Sequence, residues 1–162
     1  MPYKLELAKS VMEEAHKGQT RWDGKTHYSV HPIKVVQILQ NFNIRNEDIL
    51  ISAYLHDVLE DTDYPLKKIL EQFGQKVVNL VNELSFFGDH DDESYWNQVK
   101  GLSTEAKIIK LADILANLTD DGKKSHHFIL KRTLALQIII KDLGITKLSE
   151  FRHYKTPLRK ER

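Results

Sequence analysis

The sequence predicts an all-α protein, and three observations carry the prediction. Ile49-Leu50-Ile51-Ser52-Ala53-Tyr54-Leu55 is an apolar run without Gly or Pro, as a largely buried helix requires. Between Thr104 and Leu118 the polar residues Lys110, Asp113 and Asn117 recur at i, i+3 and i+7, so they stand on one helical face amid Ile, Leu and Ala. Helix-boundary residues then punctuate the chain. Asn46 before Glu47-Asp48, Pro65 after Asp63 and Ser103 before Thr104-Glu105 fit starts, while Gly18, Gly74 and Gly144 fit stops.

Taken in order, these signals place helices at about 3–17, 32–42, 46–59, 65–72, 75–85, 92–99, 104–119, 125–143 and 147–154. The first enters a helical period with Glu6, Glu13 and Glu14 and stops at Gly18. The second starts at Pro32, whose fixed backbone suits a first helical position, with His31 as its N-cap. The third is capped by Asn46, the fourth follows Pro65, and Gly74 separates it from the fifth. Ser103 caps the seventh, and Gly144 closes the eighth. The expected architecture is a helical bundle of about eight or nine helices forming a single domain over residues 1–162, long enough to bury most of its chain surface.

Composition excludes several classes of function. A net charge of +1 gives no electrostatic case for nucleic acid. No apolar run reaches transmembrane length and the amino terminus has no signal pattern, so no membrane partner is expected. The absence of Cys fits a reducing cytoplasm. Assembly into a homo-oligomer stays open. Phe87-Gly88-Asp89-His90-Asp91-Asp92-Glu93 mixes Asp with His and suggests a second metal site, although such acidic segments are commonly solvated loops. His126-His127 reads as surface, and the tail from Arg152 to Arg162 is basic and expected to fray.

The chemistry concentrates at His56-Asp57-Val58-Leu59-Glu60-Asp61, which sets two metal-ligand types side by side with two carboxylates one turn on. Ionised carboxylates are costly to bury unpaired, so this density at the end of a buried helix calls for a cation, a reaction, or a solvated helix end. Taken alone, the Lys110/Asp113/Asn117 stripe reads as a solvated edge of an amphipathic helix, and His31 alone as a structural histidine. Together the pieces are complementary. His31, His56, Asp57 and Asp113 make a mixed nitrogen and oxygen donor set suited to Mn²⁺, Fe²⁺ or Zn²⁺, with no sulfur donor available.

The order His…His-Asp…Asp resembles the signature of the HD metal-dependent phosphohydrolase superfamily. Ala15-His16-Lys17-Gly18-Gln19, Tyr28-Ser29-Val30-His31-Pro32, Leu55-His56-Asp57-Val58-Leu59-Glu60-Asp61-Thr62, Phe73-Gly74 and Lys110-Leu111-Ala112-Asp113-Ile114-Leu115-Ala116-Asn117 are similar to the hydrolase domain of RelA/SpoT proteins, in order over about residues 5–120. The resemblance implies an HD-domain fold of stand-alone small alarmone hydrolase type, with further C-terminal helices over about 125–154. It implies removal of the 3′-pyrophosphate of (p)ppGpp, a small-molecule nucleotide, to give GDP or GTP and pyrophosphate. Carried onto this chain it makes His31, His56, Asp57 and Asp113 ligands of Mn²⁺, Glu60 and Asp61 the catalytic acidic pair, and Asn117 a substrate-side residue. A carboxylate beside a metal can accept the proton that an attacking water loses, and helical spacing sets Glu60 one turn beyond His56 and Asp57.

The departures from the family concern substrate. Arg21 is followed by Trp22 where the family usually carries a Lys, and the Gly-x-Pro-Tyr word is replaced by Gly24-Lys25-Thr26-His27-Tyr28. Arg21, Trp22 and Lys25 are therefore the expected nucleotide contacts, with Lys25 replacing the missing charge and Trp22 either stacking on a base or packing into the core. The family's basic residue after the Asp is here Ile114, and its Thr-Lys word reads Ser85-Phe86-Phe87. Two other functions stay in view: an HD phosphohydrolase of a nucleoside monophosphate or phosphorylated dinucleotide cofactor, and a nucleotide sensor without turnover. Intact Glu60 and Asp61 argue against the sensor.

Overall fold

The computed structural model describes residues 3–89 and 91–145, and among them helices joined by loops form the fold. Nine helices follow in order: α1 (Tyr3–Ala15), α2 (Val30–Asn41), α3 (Glu47–Leu55), α4 (Val58–Asp61), α5 (Leu66–Phe73), α6 (Gln75–Leu84), α7 (Asp92–Gly101), α8 (Thr104–Thr119) and α9 (His126–Asp142). The expected all-α bundle is observed. The expected helix at 147–154, the basic tail and His90 lie outside the described residues. None of the described helices is long and apolar enough to cross a membrane.

Helix α3 is the axis of the bundle. Every residue from Ile49 to Leu55 is buried, and the helix packs on α1, α2, α6 and α8. Asn46 caps it by accepting a hydrogen bond from the Ile49 amide at 3.1 Å, as its position before two acidic residues predicts. Each buried Ile or Leu contributes about 1.5–3 kcal/mol, so Ile49, Ile51 and Leu55 together hold the end of α3 firmly in place. Helix α8 is buried nearly all round from Ala106 to Ala116 and lies against α2, and Ser103 caps it. Gly74 ends α5 at a φ of 88°, a conformation that favours glycine.

Two boundaries differ from expectation, and both shape the site. The single helix expected at 46–59 is broken between Leu55 and Val58, because His56 Nδ1 bonds back to the Ala53 carbonyl at 2.7 Å and Asp57 takes φ −99°, ψ −3°. Adjacent residues on an unbroken helix project about 100° apart. The break lets His56 and Asp57 face one cluster. Helix α2 begins at Val30, with Ser29 at its boundary, so His31 is a helical residue rather than the N-cap. Pro32 does not set the start, since any amide in a first turn lacks an intrahelical partner and proline is tolerated there.

Candidate metal centre and substrate cleft

Three elements bring the ionisable residues together. The first turn of α2 delivers His31, the α3–α4 break delivers His56 and Asp57, and the middle of α8 delivers Asp113. His31 Nε2 lies 2.9 Å from Asp113 Oδ1 and 3.9 Å from Asp57 Oδ2, while His56 Nε2 lies 3.0 Å from Asp57 Oδ2 and 3.5 Å from Asp113 Oδ1. The four residues expected to converge do so.

Their environment suits a cation. His31, His56 and Asp113 are buried, and each offers a donor atom within 4.8 Å of the other two. Donors held about 2.0–2.2 Å from one ion lie at most about 4.4 Å apart, so the cluster needs only slight closure to share it. His56 donates through Nδ1 to Ala53, which aims Nε2 into the cluster, where this buried nitrogen has no aligned hydrogen-bond partner. Burial alone would depress the basicity of His56, but the charges of Asp57 and Asp113 outweigh it and hold it well above the usual histidine value. Burial likewise pushes the Asp57 and Asp113 carboxyls up. For Asp57 the charge of His56 wins, and for Asp113 the charge of Lys110 and the two imidazoles, so both end below the ordinary carboxylate range. The donor set fits a divalent ion that prefers nitrogen and oxygen.

The stripe on α8 faces inward. Lys110 Nζ donates to Asp113 Oδ2 at 2.8 Å and Asn117 Nδ2 donates to Asp113 Oδ1 at 3.0 Å, so both carboxylate oxygens are oriented from the same helix. Glu60 and Asp61 stand at the mouth, both exposed. Glu60 Oε1 accepts from the Phe86 amide at 2.5 Å. Partial burial, with Asp57 close by, raises both carboxyls above their ordinary values. Asp61 Oδ2 lies 3.5 Å from the Tyr28 hydroxyl, which also donates to Asp57 Oδ2.

Arg21 is fixed to α8, since its Nη2 donates to Asn117 Oδ1 and to Asp120 Oδ2, both at 3.0 Å. The loop that carries it closes through a bridge between Thr20 and His27 and turns about Asp23. The Asp23 carboxylate accepts from the Thr26 hydroxyl and from the Lys25 and Thr26 amides, which lower its pKa to about 2. Trp22 is 53% exposed and meets Phe128 of α9 edge-on at 5.0 Å between ring centres. Lys25 is exposed and lines neither cavity of the cleft.

Two cavities of about 330 and 460 Å³ share Arg21, Trp22 and His31. The smaller contains Asp57, Glu60, Asp61 and Asp113 and is also lined by Lys110, Lys131 and Arg132. The larger runs past Lys34 and the Thr119–Lys123 turn. Together they have the volume expected of a nucleotide site. Sequence reasoning assigned no role to Tyr28, Asp23 or Arg132. The Asp23-Gly24 pair is a turn signal that could have located the loop, whereas nothing local marks Arg132.

The acidic segment around 87–93, read as a solvated loop rather than a second metal site, makes a helix cap and ion pairs among the described residues. Asp91 caps α7 by accepting from the Ser94 amide at 2.8 Å, and Asp92 pairs with Lys131 at 3.3 Å and His127 at 3.2 Å. His126 and His127 are exposed.

Comparison with known proteins bears on this geometry. The chain is 36% identical to the guanosine-3′,5′-bis(diphosphate) 3′-pyrophosphohydrolase MESH1 of Xenopus tropicalis, over 70% of this chain and 66% of that protein. It is 39% identical to the MESH1 of Drosophila melanogaster, over 65% and 62%. A guanosine-3′,5′-bis(diphosphate) 3′-pyrophosphohydrolase of Borreliella burgdorferi is 31% identical over 89% of this chain, which spans only 23% of that longer protein. The chain thus spans less than two thirds of these curated relatives. A solved structure described as a metazoan ortholog of SpoT that hydrolyses ppGpp superposes with a TM-score of 0.73 at 26% identity, covering 90% of this chain and 98% of the other. Residues 8–135 match the HD domain family, and with the His-Asp cluster of α2, α3–α4 and α8 in place, this chain belongs to that family.

Proposed function

We propose that this protein is a metal-dependent phosphohydrolase that removes the 3′-pyrophosphate of (p)ppGpp, giving GDP or GTP and pyrophosphate, with Mn²⁺ as its ion. The observation that carries this reading is the opening of the buried His31/His56/Asp113 cluster, with Asp57, Glu60 and Asp61 beside it, into a cavity also lined by Lys110, Lys131 and Arg132. The names of the relatives and the superposed ppGpp hydrolase support the substrate.

His31, His56, Asp57 and Asp113 would hold the ion. When bound, it supplies Lewis acidity to the phosphoryl oxygens. The chain does the rest. Glu60, pinned through Oε1 by the Phe86 amide, keeps Oε2 to take the proton that water loses as its oxygen bonds to the 3′-phosphorus. The bond from phosphorus to the ribose 3′-oxygen breaks. Asp61, at the mouth beside Asp57 and Tyr28, returns a proton to that oxygen. Tyr28 positions Asp57 and Asp61 relative to each other, and buried His16 stacks on its ring at 4.4 Å between ring centres. Arg21 and Asn117 brace the nucleotide side of the site.

Incubating the full chain with Mn²⁺ and a panel of ppGpp, pppGpp, NADPH and nucleoside monophosphates, and resolving products by anion exchange, tests the proposal. Release of pyrophosphate from ppGpp and pppGpp, faster than turnover of the others, is expected. Faster turnover of NADPH or a monophosphate would favour the other HD phosphohydrolase reading, for which the placement of Lys25 outside the cleft speaks.

A further inference from the structure

Resting on the pyrophosphohydrolase reading, we infer that Arg132 of α9 grips the terminal phosphate of the 3′-pyrophosphate, the one that water does not attack, and supplies the charge that Trp22 removes from the family pattern. Four cations line the cavity that holds the metal cluster: Arg21, Lys110, Lys131 and Arg132. Three are committed. Arg21 pairs with Asp120 at 3.0 Å, Lys110 with Asp113 at 2.8 Å and Lys131 with Asp92 at 3.3 Å. Among the described residues, Arg132 has no carboxylate at ion-pair distance.

A half-buried guanidinium without a counter-ion is costly, and burial lowers its pKa accordingly. It is nonetheless held in place. Its central carbon sits 3.5 Å from the centre of the Phe128 ring, a cation–π contact over the ring face. Phe128 is braced in turn by the edge-on Trp22 at 5.0 Å. The residue that replaces the family's lysine therefore buttresses, through Phe128, another cation facing the same cavity.

Position selects the phosphate. Arg132 lines the cavity of Asp57, Glu60, Asp61 and Asp113 and is absent from the walls of the larger one, and it feels the charge of Asp113 across the cleft. A phosphorus at the His-Asp cluster would leave the next phosphate in the same cavity, which Arg132 also lines. The forked donors of an arginine match two oxygens of a terminal phosphate.

Calorimetric binding of inorganic pyrophosphate and of inorganic phosphate to the Mn²⁺-loaded full chain, for wild type, Arg132→Met and Arg132→Lys, tests this. Removing charge-assisted hydrogen bonds should raise the pyrophosphate Kd of Arg132→Met by about 10- to 100-fold, leaving the phosphate Kd and the Mn²⁺ Kd near wild type. Arg132→Lys should recover part of the loss. In turnover, Arg132→Met should bring kcat/KM for ppGpp toward that for a guanosine 5′-diphosphate 3′-monophosphate, with the latter unchanged. An unaltered pyrophosphate Kd in Arg132→Met, an equal loss for phosphate and pyrophosphate, or no pyrophosphate binding by wild type would each overturn the inference. Selective loss of pyrophosphate binding in a protein that does not turn over ppGpp would sustain Arg132 while removing the proposed substrate.

Discussion

Lys110 Nζ holds Asp113 Oδ2 at 2.8 Å and so leaves Asp113 Oδ1 facing His31 Nε2 at 2.9 Å. A lysine one turn before the carboxylate thus fixes which oxygen meets the histidines. Both side chains are largely buried, 15% and 7% exposed, so neither charge is relieved by water.

Lys110→Met removes one partner of this buried pair and leaves Asp113 with less compensation among further carboxylates. Breaking such a pair costs about 3–5 kcal/mol. The Tm of the metal-free variant should fall accordingly, and saturating Mn²⁺ should restore more stability to it than to wild type, because the ion replaces the missing positive charge. A metal-free Tm equal to that of wild type would show that Lys110 does not stabilise Asp113.

Asp113→Asn should abolish metal retention and turnover while leaving helical circular dichroism largely intact, since only one carboxylate charge on a long buried helix changes. Elemental analysis reads the metal. Ligand linkage gives a second measure, because an ion at 100 times its Kd stabilises the native state by about 2.7 kcal/mol. Wild type should show that thermal shift with Mn²⁺ and the variant should not. An equal shift in both would place the ion elsewhere.

The parts of the site legible in the sequence are those built on short spacings. His56-Asp57 and Glu60-Asp61 lie within two turns, and Lys110, Asp113 and Asn117 announce a common face at helical period. Whether that face meets solvent or a cleft depends on α2 packing across it, which no local pattern encodes. The break after Leu55 was hidden because no Gly or Pro marks it; it arises from the His56 bond to Ala53. Arg132 was invisible for a related reason. Its role depends on α9 lying against α7 and α8, and on Phe128 meeting Trp22 more than 100 residues earlier in the chain.

Glu60→Gln should keep the metal and lower kcat by about 10²–10⁴, the range for removing an acid–base group. It should also stabilise the metal-free protein at neutral pH. Glu60 has its folded pKa raised above the unfolded 4.5, mainly by burial, so the folded state holds its proton more tightly. Stability from this group is therefore greatest below pH 4.5 and declines as pH rises through the folded pKa. Glutamine keeps the acceptor for the Phe86 amide without the charge. The variant's Tm advantage should appear near pH 7 and vanish below about pH 4.5. An advantage that grew toward acid pH, or loss of the metal, would contradict this assignment.

Trp22 offers the sharpest separation between packing and recognition. A tryptophan deep in a core costs about 3–5 kcal/mol when cut to alanine. Trp22 is 53% exposed, and its contacts are the edge of Phe128 and the cations of Arg21 at 4.8 Å and Lys124 at 5.8 Å. Trp22→Ala should therefore lower stability by only about 1–2 kcal/mol, in proportion to the area it buries. Its larger effect should be on KM for ppGpp, because the half-exposed Trp22 lines both cavities, where a base can meet its ring. Trp22→Phe, which keeps an aromatic edge against Phe128, should recover most of that loss. The recovery should survive added salt, unlike an exposed cation–phosphate contact, which is screened over roughly 8 Å at physiological ionic strength. A stability loss of core size with KM unchanged would instead make Trp22 a packing residue.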